Sequence, residues 1–144
     1  MDYIIDLNKV SLNDINTVGG KNASLGEMLQ NLKALGIKVP NGFAVTTKAY
    51  YDFISHNNLD EKINELVSSI NDEDIVQLRK VGLQVRQLIR NGKFPVPLKH
   101  AIREKYAELS QDYGQEMTDV AVRSSATAED LPDASFAGQQ ETYL

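Results

Sequence analysis

Two stretches of the chain carry residue types suited to an anionic ligand. In the first, Arg123 opens a run of small and hydroxylic residues, Ser124-Ser125-Ala126-Thr127-Ala128, which continues through Glu129-Asp130-Leu131-Pro132-Asp133-Ala134-Ser135-Phe136-Ala137 into Gly138-Gln139-Gln140-Glu141-Thr142. Such a run makes a poor core element, and loops of this length inside compact domains are usually functional or disordered. Small side chains let a backbone approach a ligand, hydroxyls and amides supply donors, and a guanidinium offers a rigid fork that matches phosphate. The plain alternative is a solvated surface loop, with Arg123 snorkelling to water from the end of the apolar Val120-Ala121-Val122 segment.

The second stretch is Gly19-Gly20-Lys21, placed ahead of a helical pattern. Glycines allow a tight turn, a helix N-terminus presents unpaired N–H groups, and lysine adds a point charge, so the trio could form an anion site. The Walker pattern G-x-x-x-x-G-K-[ST] is absent, and on local sequence alone a plain turn before a helix is the stronger reading. Glu129, Asp130 and Asp133 have oxygens that suit magnesium, but a solvated acidic loop explains them better, and no metal ligand is assigned. His56 and His100 are the only histidines. Both read as ordinary surface or helix-end residues.

The elements that must position these groups follow from periodicity. Leu25, Met28, Leu29, Leu32 and Leu35 predict a helix over about 23–35, stopped by Gly36. Residues 37–45 read as extended, broken by a Pro40-Asn41-Gly42 turn. Thr46 or Thr47 caps a helix in which Tyr50, Tyr51 and Phe53 join Ile54 in the core. A short amphipathic helix over 60–70 carries Ile63, Leu66, Val67 and Ile70. A longer helix starts at Asp72 or Asp74, turns Ile75, Leu78, Val81, Val85, Leu88 and Ile89 inward, and ends at Asn91-Gly92. Pro95 and Pro97 flank a turn, and Leu98, Ala101, Ile102, Tyr106 and Leu109 build a further helix stopped near Gly114. Strands are expected over 118–122 and 140–144. Helices first and strands last make the fold class α+β.

Composition narrows the function. The chain has 144 residues, enough for one domain with a modest core. Its net charge of −5, with acids and bases interleaved, disfavours a nucleic acid partner, which needs a basic patch. There is no cysteine, hence no disulfide and no thiolate chemistry. Residues 1–6 lack the basic start and apolar run of a signal peptide, and no stretch approaches membrane-spanning length. A cytoplasmic protein without membrane contact is the expectation.

The block Val18-Gly19-Gly20-Lys21-Asn22-Ala23-Ser24-Leu25-Gly26-Glu27-Met28, taken with the 123–142 stretch, resembles the pyruvate phosphate dikinase family of phosphoenolpyruvate-utilising enzymes. That family also includes rifampin phosphotransferases. Pro40-Asn41-Gly42-Phe43-Ala44 and Ala137-Gly138-Gln139-Gln140-Glu141-Thr142 favour its phosphoenolpyruvate synthase branch. The likeness covers about residues 12–144 in several ungapped blocks.

The resemblance implies that residues 1–144 are the helix-rich N-terminal part of an ATP-grasp-like nucleotide-binding domain, truncated at its C-terminal end. The phosphohistidine and pyruvate-binding domains would be absent. It implies a parent phosphotransferase, homo-oligomeric, cytoplasmic and gluconeogenic, that converts ATP, pyruvate and water to phosphoenolpyruvate, AMP and phosphate. Within that scheme Lys21 and Arg123 match the family's phosphate-contacting lysine and arginine, and Gly138 and Thr142 match other nucleotide-contacting positions. Magnesium would be held by a later segment. The loop over 124–137 would be mobile without nucleotide and close over the triphosphate, and the 144-residue piece alone would be inactive. The alternatives are the ATP-binding part of a rifampin phosphotransferase-like enzyme and a non-catalytic binding module.

Overall fold

The computed structural model describes residues 2–33, 35–70 and 74–127, with the backbone of residues 142 and 143. The first pairing joins β1 (Ile4–Asp6) to β2 (Phe43–Val45), antiparallel, with Ile4 opposite Val45, Ile5 opposite Ala44 and Asp6 opposite Phe43. Strand alternation sends Ile5 and Ala44 to one face, where Ala44 joins Leu7, Val10, Val18, Ala23 and Leu29 in a core and Ile5 packs against it. Two bonds extend the pairing: Leu7 N–H donates to Gly42 at 3.0 Å and Thr46 N–H donates to Tyr3 at 2.9 Å. The buried Thr46 hydroxyl donates to the Asp2 carbonyl at 2.9 Å, and α3 (Thr47–His56) begins one residue later. Only 43–45 of the expected 37–45 strand is ladder, because β1 offers three partner residues. β1 itself is too short for alternation to reveal.

Between β1 and the long helix, two 3₁₀ turns, Leu7–Lys9 and Leu12–Asp14, bring the chain around. Ser11 N–H donates to the Asp14 carboxylate at 2.8 Å while Asn13 N–H donates to Ser11 Oγ at 3.3 Å, a reciprocal cap. The Ser11 backbone bond, then its hydroxyl, holds the Asp14 carboxyl below its usual range. One short helical turn, α1 (Ile15–Val18), follows, and then α2 (Gly20–Lys33).

α2 starts earlier than the leucine spacing predicts, so Gly20 and Lys21 lie inside its first turn, not ahead of it. Its buried face also differs. Ala23, Gly26 and Leu29 are buried, whereas Met28 and Leu35 are exposed. The reason is a close backbone approach: a Cβ on Gly26 would fall on the Val10 carbonyl and lie 2.9 Å from the Leu7 carbonyl oxygen. Gln30 Nε2 donates to the same Val10 carbonyl at 2.7 Å. The helix closes through Gly36, whose φ is +76°, with Ile37 N–H to Leu32 and Gly36 N–H to Lys33, each 3.1 Å. This is the Schellman closure that a C-terminal glycine permits.

The chain divides into two compact units, residues 1–48 with 100–144, and residues 49–99. The second is helical, formed by most of α3, by α4 (Leu59–Ser68) and α5 (Ile75–Asn91), and by the first residues of α6 (Val96–Asp112). Ala49, Phe53, Ile54, Leu59, Val81 and Leu98 are buried there. Tyr50 and Tyr51 are not core: they are 53% and 65% exposed and meet edge to face, with Phe53 alone of the trio turned inward. Asn57 ties the unit together, donating to the Phe53 and Lys93 carbonyls at 2.8 and 3.0 Å and accepting from Lys93 N–H at 2.7 Å. Asp74 caps α5 through the Val76 and Gln77 amides, both at 3.0 Å, whereas Asp72 lies outside the described residues. On α5 only Val81 is fully buried, and Ile75 and Leu78 are exposed rather than inward.

Pro97 does not flank a turn. It sits in the first turn of α6, where a missing N–H costs nothing. Within the first unit α6 is tied to β1 by Lys105, whose ammonium lies 2.6 Å from both Asp6 and Glu108. Lys9 adds a 2.9 Å pair to Asp6. Partial burial alone would raise the Asp6 pKa, but the Lys105 and Lys9 hydrogen bonds outweigh it and hold the carboxyl below its usual range. The Asp6 bond, with that to Glu108, raises the Lys105 pKa. After α6 the chain folds back on it: Tyr106 Oη donates to the Thr118 carbonyl at 2.7 Å, and Thr118 N–H donates to Ser110 Oγ at 3.2 Å. This anchorage ties up Thr118, so the expected 118–122 strand shrinks to β3 (Val122–Arg123), antiparallel to β4 (Thr142–Tyr143). Helices with small antiparallel ladders confirm an α+β chain.

Candidate nucleotide-phosphate site

The two stretches singled out by their residue types meet in space. Gly19, with φ +81°, ends α1 and turns the chain into α2. Its N–H donates to Ile15 at 2.8 Å, and the Asn22 side chain donates to the Val18 carbonyl at the same distance. Against this turn lies the segment that leaves β3. Gly20 N–H donates to the Ala126 carbonyl at 3.1 Å, and Asn22 N–H donates to Ser125 Oγ at 3.4 Å. A Cβ at Gly19 would collide with the Ser125 hydroxyl and come within 2.8 Å of the Ser125 carbonyl carbon. Only glycine, by conformation and by space, allows this seat.

The contact brings the candidate cations to one place. Lys21, half-buried in the first turn of α2, donates from Nζ to the Ser124 carbonyl at 3.4 Å, one residue from Arg123. Arg123 is exposed on β3, and the strand register sets Thr142 directly opposite it. Lys21, Arg123 and Thr142 are thus drawn together from three parts of the sequence. Gly138 and most of the expected 124–137 lid lie outside the described residues. So do Glu129, Asp130 and Asp133.

One sequence expectation is corrected here. The head of α2 is not a row of open amides, since Gly20 and Asn22 already donate to Ala126 and Ser125. The cationic side chains carried by this junction are Lys21 and, next to Ser124, Arg123. Ser125 and Asn22 build the junction, and the sequence places both in the two stretches without giving either a role of its own; the available signal is a hydroxyl two residues after the arginine.

Among the described residues, no group of acidic residues and histidines is arranged to hold a metal ion. His56 is exposed at the end of α3, and His100 is exposed with Nδ1 3.0 Å from Glu104. A cleft of about 400 Å³ between β1 and α6 shares no residue with the Lys21–Ser124 junction. It is lined by Asp2, Asp6, Glu104 and Glu108, with Lys105 already paired, so its charge repels a polyphosphate. Among the described residues the junction gathers cationic and hydroxyl side chains of a kind that suits an anion.

Residues 15–144 match the family described as pyruvate phosphate dikinase, AMP/ATP-binding domain, and the chain belongs to that family. More narrowly, it is similar to phosphoenolpyruvate synthases. It is 55% identical over 141 residues to that of Aquifex aeolicus, covering 98% of this chain and 16% of the relative. For the Escherichia coli enzyme the identity is 53% over 137 residues, covering 95% and 17%. A probable phosphoenolpyruvate synthase of Methanocaldococcus jannaschii is 45% identical over 144 residues, covering 100% and 12%. The chain therefore spans less than a fifth of the length of these relatives. Among the described residues no helix is long and apolar enough to cross a membrane.

Proposed function

We propose that this chain is the N-terminal portion of the ATP-binding, ATP-grasp-like domain of a phosphoenolpyruvate synthase, and that Lys21 and Arg123 hold the nucleotide phosphates. The observation that carries the reading is the Lys21 Nζ to Ser124 carbonyl contact, which sets the two cations on adjoining backbone within a family of AMP/ATP-binding domains. Phosphoryl transfer asks a protein mainly for positioning and charge neutralisation, and that is what this pair supplies. Thr142, across the ladder from Arg123, and Gly138 would complete the nucleotide contacts. Magnesium would be held by residues outside this chain and would neutralise phosphate charge.

In the whole enzyme the module would energise the conversion of ATP, pyruvate and water to phosphoenolpyruvate, AMP and phosphate, in the cytoplasm and in a homo-oligomer. The phosphoryl acceptor and the pyruvate site would belong to other domains of that enzyme. Alone, the chain would bind ATP at best weakly and would not turn it over.

Titration of the ¹⁵N-labelled chain with magnesium ATP tests the reading. Amide shifts concentrated at Lys21, Asn22 and residues 123–126 are expected, with affinity in the millimolar range because nucleotide pockets normally enclose about 70–90% of their ligand. Shifts confined to the Asp2–Glu108 cleft, or none anywhere, would refute it.

A further inference from the structure

We propose that Ser125 is a positioning residue for this phosphate site, setting Arg123 relative to Lys21 without touching the nucleotide. The inference rests on the reading of Lys21 and Arg123 as the phosphate-binding pair.

Three observations converge on the one side chain. Ser125 Oγ accepts the Asn22 N–H at 3.4 Å, in the turn of α2 that carries Lys21. Its backbone and hydroxyl fill the space where a Cβ of Gly19 would stand. The residues on either side, Ser124 and Ala126, accept from Lys21 Nζ at 3.4 Å and from Gly20 N–H at 3.1 Å. Ser125 is therefore the middle of a three-residue seam joining the β3 exit to the head of α2.

The seam matters because the two cations stand on different elements. Arg123 is exposed on a two-residue strand, and Lys21 has a long flexible stem. Two charges on independently moving supports lose entropy when they grip one anion, and pre-organisation removes that cost. With its Oγ engaged by Asn22, Ser125 fixes the backbone just after Arg123 to the backbone just after Lys21. The hydroxyl oxygen accepts from α2, and on this proposal its effect reaches the nucleotide through the geometry of the pair.

The test compares Ser125→Ala and Ser125→Thr in the ¹⁵N-labelled chain, using magnesium ATP and amide hydrogen exchange. Ser125→Ala should leave the folded spectrum intact, speed exchange at the Asn22 amide on the order of tenfold, and weaken ATP binding by about 2- to 10-fold. Ser125→Thr, which keeps the hydroxyl, should restore both. In a Lys21→Met background Ser125→Ala should weaken ATP no further, since the pair it aligns is already broken. An additive loss there would mean that the hydroxyl meets the nucleotide itself and would overturn the positioning role. Unchanged ATP affinity in Ser125→Ala, with normal wild-type shifts at Lys21 and Arg123, overturns this inference alone. ATP that moves neither residue in the wild type overturns the phosphate reading and this inference with it, whereas Asn22 exchange still reports whether the seam exists. If Ser125→Ala fails to fold, Gly19→Ala gives the second reading: pushing Ser125 away should weaken ATP in the same way, and wild-type affinity in that variant would overturn the proposal.

Discussion

Lys21 and Ser124 stand 103 positions apart in the chain, and the lysine ammonium donates to the serine carbonyl at 3.4 Å. Lysine is thereby brought within one residue of Arg123. For the full-length enzyme we expect Lys21→Ala and Arg123→Ala each to slow phosphoryl transfer from ATP by on the order of 10²–10³, the usual cost of a lost charge-stabilising donor. Neither side chain is core, so stability should move by less than about 0.5 kcal/mol. Exchange of label between ATP and its products, beside thermal melts of the same variants, measures both. Near wild-type exchange would remove these residues from the site.

Two glycines separate conformational strain from lack of space. Gly26 has a Val10 carbonyl where a Cβ would go, whereas Gly36 has positive φ and open surroundings. Gly26→Ala must push α2 off the core and should cost about 1–3 kcal/mol. Gly36→Ala should cost about 1 kcal/mol, from the left-handed conformation alone. Denaturant melts showing the reverse order would contradict the packing described for α2.

The Asp6–Lys105 pair predicts how stability depends on pH. Asp6 has a lowered pKa in the fold, so its contribution is present above the unfolded value of about 3.9 and is lost as pH falls through the depressed folded value. Lys105 has a raised pKa, so its contribution is complete below about 10.4 and is lost as pH rises through the higher folded value. Melting temperature should therefore form a plateau that drops at both extremes. Lys105→Met should flatten both shoulders, and an unchanged profile in that variant would discount the pair.

Asn57 should be the most sensitive polar position of the helical unit. Its amide bonds to Phe53 and to both backbone groups of Lys93. Asn57→Ala takes this partner from both Lys93 groups, at a cost of roughly 1–3 kcal/mol. Amide exchange should rise at the end of α3 and around Lys93, and an effect within experimental error would show that water replaces the side chain.

The long helices were legible because their signals are local. Asp74, Asn91-Gly92, Gly114 and the spacing of the apolar residues bound α5 and α6 without reference to the rest of the fold. β1 was not legible, since three residues show no period and the partner lies far along the chain. The leucine pattern of α2 pointed to Met28 and Leu35, yet Gly26 governs that face, because the approach of a backbone leaves no hydrophobic mark in the sequence. Tyr50 and Tyr51 follow the helical repeat and still face outward; periodicity does not say how wide the covered stripe is. At the candidate site, residue chemistry pointed to Arg123 and only the family resemblance pointed to Lys21, and nothing local announced that Ser125 and Ala126 would close the head of α2.

That closure also sets a timetable for biosynthesis. The head of α2 leaves the ribosome long before Ser125 and Ala126, and all of residues 49–99 must be made in between. At about 5–20 residues per second, a delay of 103 positions lasts roughly 5–20 s. During that interval Gly20 and Asn22 lack the acceptors that later cover them, while the helices between can already pack from contacts near in sequence. The junction of Lys21 with the β3 exit is thus among the later contacts of this chain to be assembled, and a nascent chain stalled before Ser125 would carry its lysine without the arginine's anchorage.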